Sequence, residues 1–168
     1  MARTIEVSIP ATSFIPATSN GAALVAHTHN TLTRPALAFD ASTDESAISV
    51  PFVMPDSYTG GVVKVDVYFY SASASSGTAA WNVALEAVTP SADTLDLEAS
   101  SSIPTGTGGT HTVSGTAGDL RKLSINLDDT ADDGVAAGDH VRLGIFRDES
   151  VDSVSGDLYL ALVILYEG

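Results

Sequence analysis

The chain contains no cysteine, which excludes disulfides, thiol nucleophiles and thiolate zinc sites. It is also poor in positive charge. Seven lysines and arginines stand against 21 aspartates and glutamates, giving a formal net charge of −14 and a pI near 4.2. A field of that sign repels phosphate backbones and anionic lipid, so neither nucleic acid nor a membrane surface is expected as a direct partner. No apolar run reaches the length of a membrane span; the longest, Leu158 to Tyr166, reads as a buried strand. The first residues, MARTIEVSIPATSFIPATS, hold no apolar core of signal-peptide length, so any release from a cell is expected to use a route other than a cleaved signal. Helical periodicity is missing as well; only Ala131 to Ala137 offers one short turn. No Gly-x-Ser-x-Gly elbow, no repeat at a fixed period and no linker between two cores is present.

What the chain has is alternation. Val63, Val65, Val67 and Phe69 alternate with Lys64, Asp66, Tyr68 and Tyr70, and Trp81, Val83, Leu85 and Ala87 alternate with Asn82, Ala84 and Glu86. Period two over that length marks strands buried on one face. The connector SASASSGT between them has no apolar anchor and reads as an exposed hairpin loop. Further strands are expected at Thr4 to Ile9, Ala47 to Met54, Leu120 to Leu127, His140 to Arg147 and Asp157 to Tyr166, the last presenting Leu158, Leu160, Leu162 and Ile164. Gly21 to Phe39 reads as two short strands broken at Pro35, and Ser91 to Gly109 as a long mobile or crossover loop. About eight strands, with Gly, Pro, Ser and Asp turns, predict an all-β fold: a two-sheet antiparallel sandwich of jelly-roll type. A length of 168 residues with 44% hydrophobic content suits one core. Residues 1–20 are expected as an N-terminal extension or arm, and 21–168 as the β-sandwich domain.

The residues that carry chemistry form no complete constellation. His27 and His29 share one face of a strand at a spacing a metal can use, but no third ligand is near. Asp128, Thr130 and Asp132 match the first three oxygen ligands of a calcium loop. The required glycine arrives one residue late at Gly134, and Asp139 stands where a glutamate belongs, so a solvated turn is the better reading. Thr105 to Thr110, TGTGGT, lacks the Lys-Ser/Thr of a phosphate loop. A glycosidase-like pair would need Glu86 and Asp66, both on outward positions. Trp81, Tyr68 and Tyr70 could make a platform for sugar rings, but Trp81 falls on the inward set, which leaves the two tyrosines as an exposed patch. No catalytic residue, cofactor site or metal site is therefore assigned.

Val50 to Asp96, with PFVMPDSYTGG, VKVDVYFYSASASSG and WNVALEAVTPSADTLD, resembles a group of proteins encoded among tailed-phage and prophage structural genes. TVSGTAGDL, VAAGDHVRLGIFRD and the closing GDLYLALVILYEG are similar to the same group. The resemblance covers most of the chain beyond residue 47 and rests on scaffold features, so it transfers no functional residue. It implies a non-enzymatic virion protein, a homotrimer on the capsid surface that binds the major capsid protein across capsomer junctions. The alternative it leaves is a carbohydrate- or receptor-binding module of a tail fibre or spike.

Overall fold

The computed structural model describes residues 5–71, 73, 76–98, 101 and 103–168. Among the described residues, twelve strands make two six-stranded sheets whose ladders are all antiparallel, and the one helical element is a 3-10 turn at Ala11–Ser13. The first sheet runs β10 (Arg121–Asn126), β7 (Val63–Ser71), β12 (Leu158–Glu167), β4 (Leu32–Phe39) and β3 (Ala23–His29). Beside β12, β1 (Glu6–Pro10) takes over where β4 leaves, pairing Pro10 with Leu162 and Glu6 with Tyr166. The second sheet runs β2 (Phe14–Pro16), β5 (Ser46–Ser49), β11 (His140–Arg147), β8 (Thr78–Val88) and β9 (Thr107–Thr112), with β6 (Phe52–Val53) beside the start of β11. This is a jelly-roll type sandwich.

The two alternating runs form β7 and β8, with their apolar sets inward as expected, but they do not make a hairpin. They belong to different sheets and face each other across the core. Trp81 meets Phe69 edge-on at 5.6 Å and Phe39 at 4.9 Å, and all three rings are fully buried. Alternation shows that each strand has an inner face; it does not say which strand lies beside it. Residues 72, 74 and 75 of the connector lie outside the described residues.

Three further expectations change. Pro35 does not break a strand: it lies inside β4 opposite Ala26, where β4 has a neighbour on one side only. In β12 the register shifts between Leu160 and Leu162. Leu158 and Leu160 face the core, but beyond this bulge Val163 and Leu165 do, while Leu162 and Ile164 turn outward. The stretch 47–54 divides into β5 and β6 on the same edge of β11.

Residues 5–16 are laid into both sheets: β1 pairs with β12, β2 pairs with β5, and Ile5, Ile9, Ala11 and Phe14 join the core. The sandwich is also pinned by a buried cation. Arg147 donates Nε to Asp152 Oδ2 (3.2 Å) and Nη2 to Asp152 Oδ1 (3.0 Å). Its Nη1 reaches the carbonyls of Phe39 (3.0 Å), Asp40 (2.9 Å) and Gly156 (3.1 Å), and Nη2 that of Val154 (3.0 Å). One guanidinium thus ties β11 to the end of β4 in the opposite sheet.

Candidate functional site

The two outer faces differ. On the second sheet, Glu86 is fully buried: Arg142 donates Nε to its Oε1 (2.6 Å) and Ser101 donates its hydroxyl to Oε2 (2.9 Å). Ser101 and Ile103 bring the β8–β9 connection across this face, and Gly144 is part of the reason. A Cβ there would lie 3.1 Å from the Phe146 ring and 3.3 Å from Ile103. The described part of the expected crossover loop is therefore a cover for the sheet.

The outer face of the first sheet carries the aromatics. Tyr159 lies opposite Tyr70 in the β7–β12 ladder, and their rings stack at 5.3 Å with planes 20° apart. The ladder aligns Tyr159 with Ala38 and Ala38 with Ala23, leaving His27 four residues, or about 13 Å, further along β3. Yet the His27 ring is 4.7 Å from Tyr159 and 5.9 Å from Tyr70. The β3–β4 hairpin must then bend over the sheet, which is open to it because β4 joins β12 only from Leu37 onward. The bend encloses a cleft of about 510 Å³ lined by His27, Thr28, Asn30, Leu32, Arg34 and Tyr70 among others.

Electrostatically the cleft is unlike the rest of the chain. Arg34 pairs with His27 in the β3–β4 ladder, is exposed, and has no acceptor among the described residues. Burial holds the Tyr70 hydroxyl above its ordinary pKa, the nearby Arg34 guanidinium pulls the other way, and Tyr159 adds to the rise. The phenol stays protonated at neutral pH and can both donate and accept. The cleft thus sets the Tyr70 ring beside a cation and several hydroxyl and amide groups.

The structure separates the other candidates. Trp81 is core. Asp66 and Glu86 lie on opposite outer faces, and both are buried in polar contacts; Asp66 accepts from Ser124 Oγ (2.5 Å) and Lys122 Nζ (3.3 Å). A carboxylate pair flanking one bond is not formed. The side chain of His29 lies outside the described residues, and His27 is taken up by the tyrosines. In the acidic loop, Asp128 Oδ1 accepts the backbone N–H groups of Thr130 (3.1 Å) and Ala131 (2.9 Å), and Asp132 Oδ1 that of Gly134 (3.0 Å). Asp139 Oδ2 accepts from Ala136 N at 2.7 Å. The Ala131 and Thr130 bonds, with the Thr107 hydroxyl, hold the Asp128 carboxyl below its usual range. Among the described residues no three His, Asp or Glu side chains converge as metal ligands. Thr105 to Thr110 runs into β9. Alternation singles out Tyr70 but not Arg34 or Tyr159: Tyr159 sits in a strand apolar at nearly every position, where no outward face stands out.

No family model and no curated protein sequence matches the chain. Solved structures do match over nearly its whole length. The C-terminal CBM6 of LamC, a marine laminarinase from Zobellia galactanivorans, matches with a TM-score of 0.54 at 13% identity, covering 97% of this chain and 100% of that one. The CBM36-1 domain of a multidomain xylanase from the hindgut metagenome of Trinervitermes trinervoides gives 0.55 at 9% identity, covering 96% of each. A xylan-binding module, CBM15, gives 0.51 at 11% identity, covering 98% and 97%. At such identities the likeness is one of fold: the architecture is that of the jelly-roll sandwiches used by carbohydrate-binding modules.

Proposed function

We propose that the chain is a non-catalytic glycan-binding module that uses the outer face of its first sheet. The observation that carries this reading is the Tyr70 ring, backed by its stack on Tyr159 and met by His27, in a cleft lined also by Thr28, Asn30 and Arg34. The C–H faces of a pyranose ring pack on an aromatic face while side-chain amides, hydroxyls and cations bond its oxygens, which is the apolar-with-few-polar-groups pattern of small-ligand clefts. The glycan-binding modules that share the fold support the choice of ligand class. A glycan array followed by affinity electrophoresis tests it: Tyr70→Ala should abolish retardation while keeping the fold. No retained glycan at any concentration, or binding unchanged in Tyr70→Ala and Tyr159→Ala, refutes it.

A second reading, a homotrimer decorating a tailed-phage capsid through its major capsid protein, is supported by a different surface. Ile15 on β2, Val50 between β5 and β6, and Val53 on β6 are 55%, 44% and 64% exposed, all on the same side of β11. Exposed large apolar side chains near a sheet edge suit a protein partner. Stoichiometric presence in purified virions and a trimer by light scattering would support this reading; a monomer absent from particles would refute it.

A further inference from the structure

Positive charge is scarce in this chain, and where it lies is informative. Arg147 and Arg142 are consumed by the buried carboxylates Asp152 and Glu86. Lys122 covers Asp66, and the ladders place Lys64, Lys122 and Arg34 on the outer face of the first sheet. Twenty-one acidic residues are available to line surfaces, yet the cleft lining includes no carboxylate. The acid beside it in sequence, Asp119, accepts the Ser114 hydroxyl at 2.7 Å. Arg34, at the rim, has its guanidinium unengaged among the described residues.

We propose that the cleft selects acidic polysaccharides, with the Arg34 guanidinium gripping the carboxylate of a uronate residue whose ring lies on Tyr70. This rests on the glycan-binding reading and narrows it. A planar fork of donors matches a carboxylate in two parallel hydrogen bonds, which a neutral hydroxymethyl group cannot reproduce. The net charge of −14 opposes a polyanion at long range, so the selection rests on the short-range Arg34 contact and the lysines of the same outer face, an attraction that salt weakens.

The test is affinity electrophoresis in gels of polygalacturonate and of alginate, each beside its carboxyl-reduced neutral counterpart. The parent chain should bind the acidic polymers at least about tenfold more tightly than the reduced ones, the size of one charge-assisted bond. The part of that preference that Arg34 supplies, read as the difference from Arg34→Ala, should shrink between about 0.02 M and about 0.5 M salt. Arg34→Ala should remove the preference at an unchanged melting temperature, and Arg34→Lys should keep part of it. Equal binding of acidic and reduced polymers, or a preference untouched by Arg34→Ala, overturns this inference and leaves the glycan module standing. Binding of neutral array glycans only does the same. No binding to any glycan overturns both.

Discussion

Replacing Arg147 by methionine should be among the most damaging single changes in the chain. The residue is 1% exposed, and its side chain donates to four backbone carbonyls and to both oxygens of Asp152. Methionine fills much of the volume but leaves those carbonyls without their donor. Asp152 then stays buried with only the Ala80 and Val154 N–H groups (3.2 and 2.6 Å). Removing one partner of a buried ion pair typically costs about 3–5 kcal/mol. For a domain of this size each kcal/mol moves the melting temperature by about 2–4 °C, so calorimetry at pH 7 should show a drop of about 6–20 °C. Arg147→Lys keeps the charge without the fork and should fall between. The double variant Arg147→Met/Asp152→Leu should recover part of the loss, because it removes the stranded charge. If Arg147→Met melts within about 2 °C of the parent, the guanidinium is not the pin between the sheets that the geometry makes it.

Deleting residues 2–16 strips β1 from β12 and removes Ile5, Ile9 and Phe14 from the core. At about 1.5–3 kcal/mol per buried side chain the loss rivals the whole stability of a typical domain, so circular dichroism should show no cooperative unfolding transition; a sharp transition would make the segment dispensable. The carboxyls of Asp40, Asp128, Asp148 and Glu167 are held below their usual range, Glu167 chiefly by the Thr59 hydroxyl at 2.6 Å. Each favours the fold above its ordinary pKa, and that contribution is lost as pH falls through the lowered one. Stability should therefore decline below about pH 4, with a shallower decline in Glu167→Gln, and a flat profile there contradicts the argument. EDTA and millimolar calcium should give melting temperatures within about 2 °C of each other; a large rise with calcium, abolished by Asp128→Ala or Asp132→Ala, would make 128–139 an ion site. The single tryptophan is core, so its emission should be blue-shifted and insensitive to any glycan that binds; a shift on binding would place the ligand near Trp81.

The sandwich was legible because its strongest strands announce an inner face: Val63 to Phe69, Trp81 to Ala87 and Val141 to Ile145 all face inward as their alternation requires. Pairing was not legible, since period two says nothing about neighbours, and β7 and β8 ended in separate sheets. The bulge at Ala161 escaped for a related reason. With apolar residues at nearly every position of β12, neither phase stands out, and only the register against Tyr68 and Phe69 selects Val163 and Leu165. β9, TGGTHT, carries no apolar side chain; it is a strand because β8 offers it an edge. The cleft was half visible. Tyr70 stood out on an outward position, but a hairpin bending back over its sheet brings together residues that the sequence keeps well over a hundred positions apart.

The pairing of Glu6 with Tyr166 bears on how the molecule can be handled. Strands hydrogen-bonded in this way keep opposed Cα atoms about 5 Å apart, so the chain enters and leaves the domain at almost one point. A polypeptide with that property can be spliced into a surface loop of an unrelated host through two short spacers, without prising the host's loop open. The sandwich is in that sense a cassette. New ends can be cut at the exposed turn 90–92 and the old ones fused, to give a permuted chain that carries the cleft unchanged.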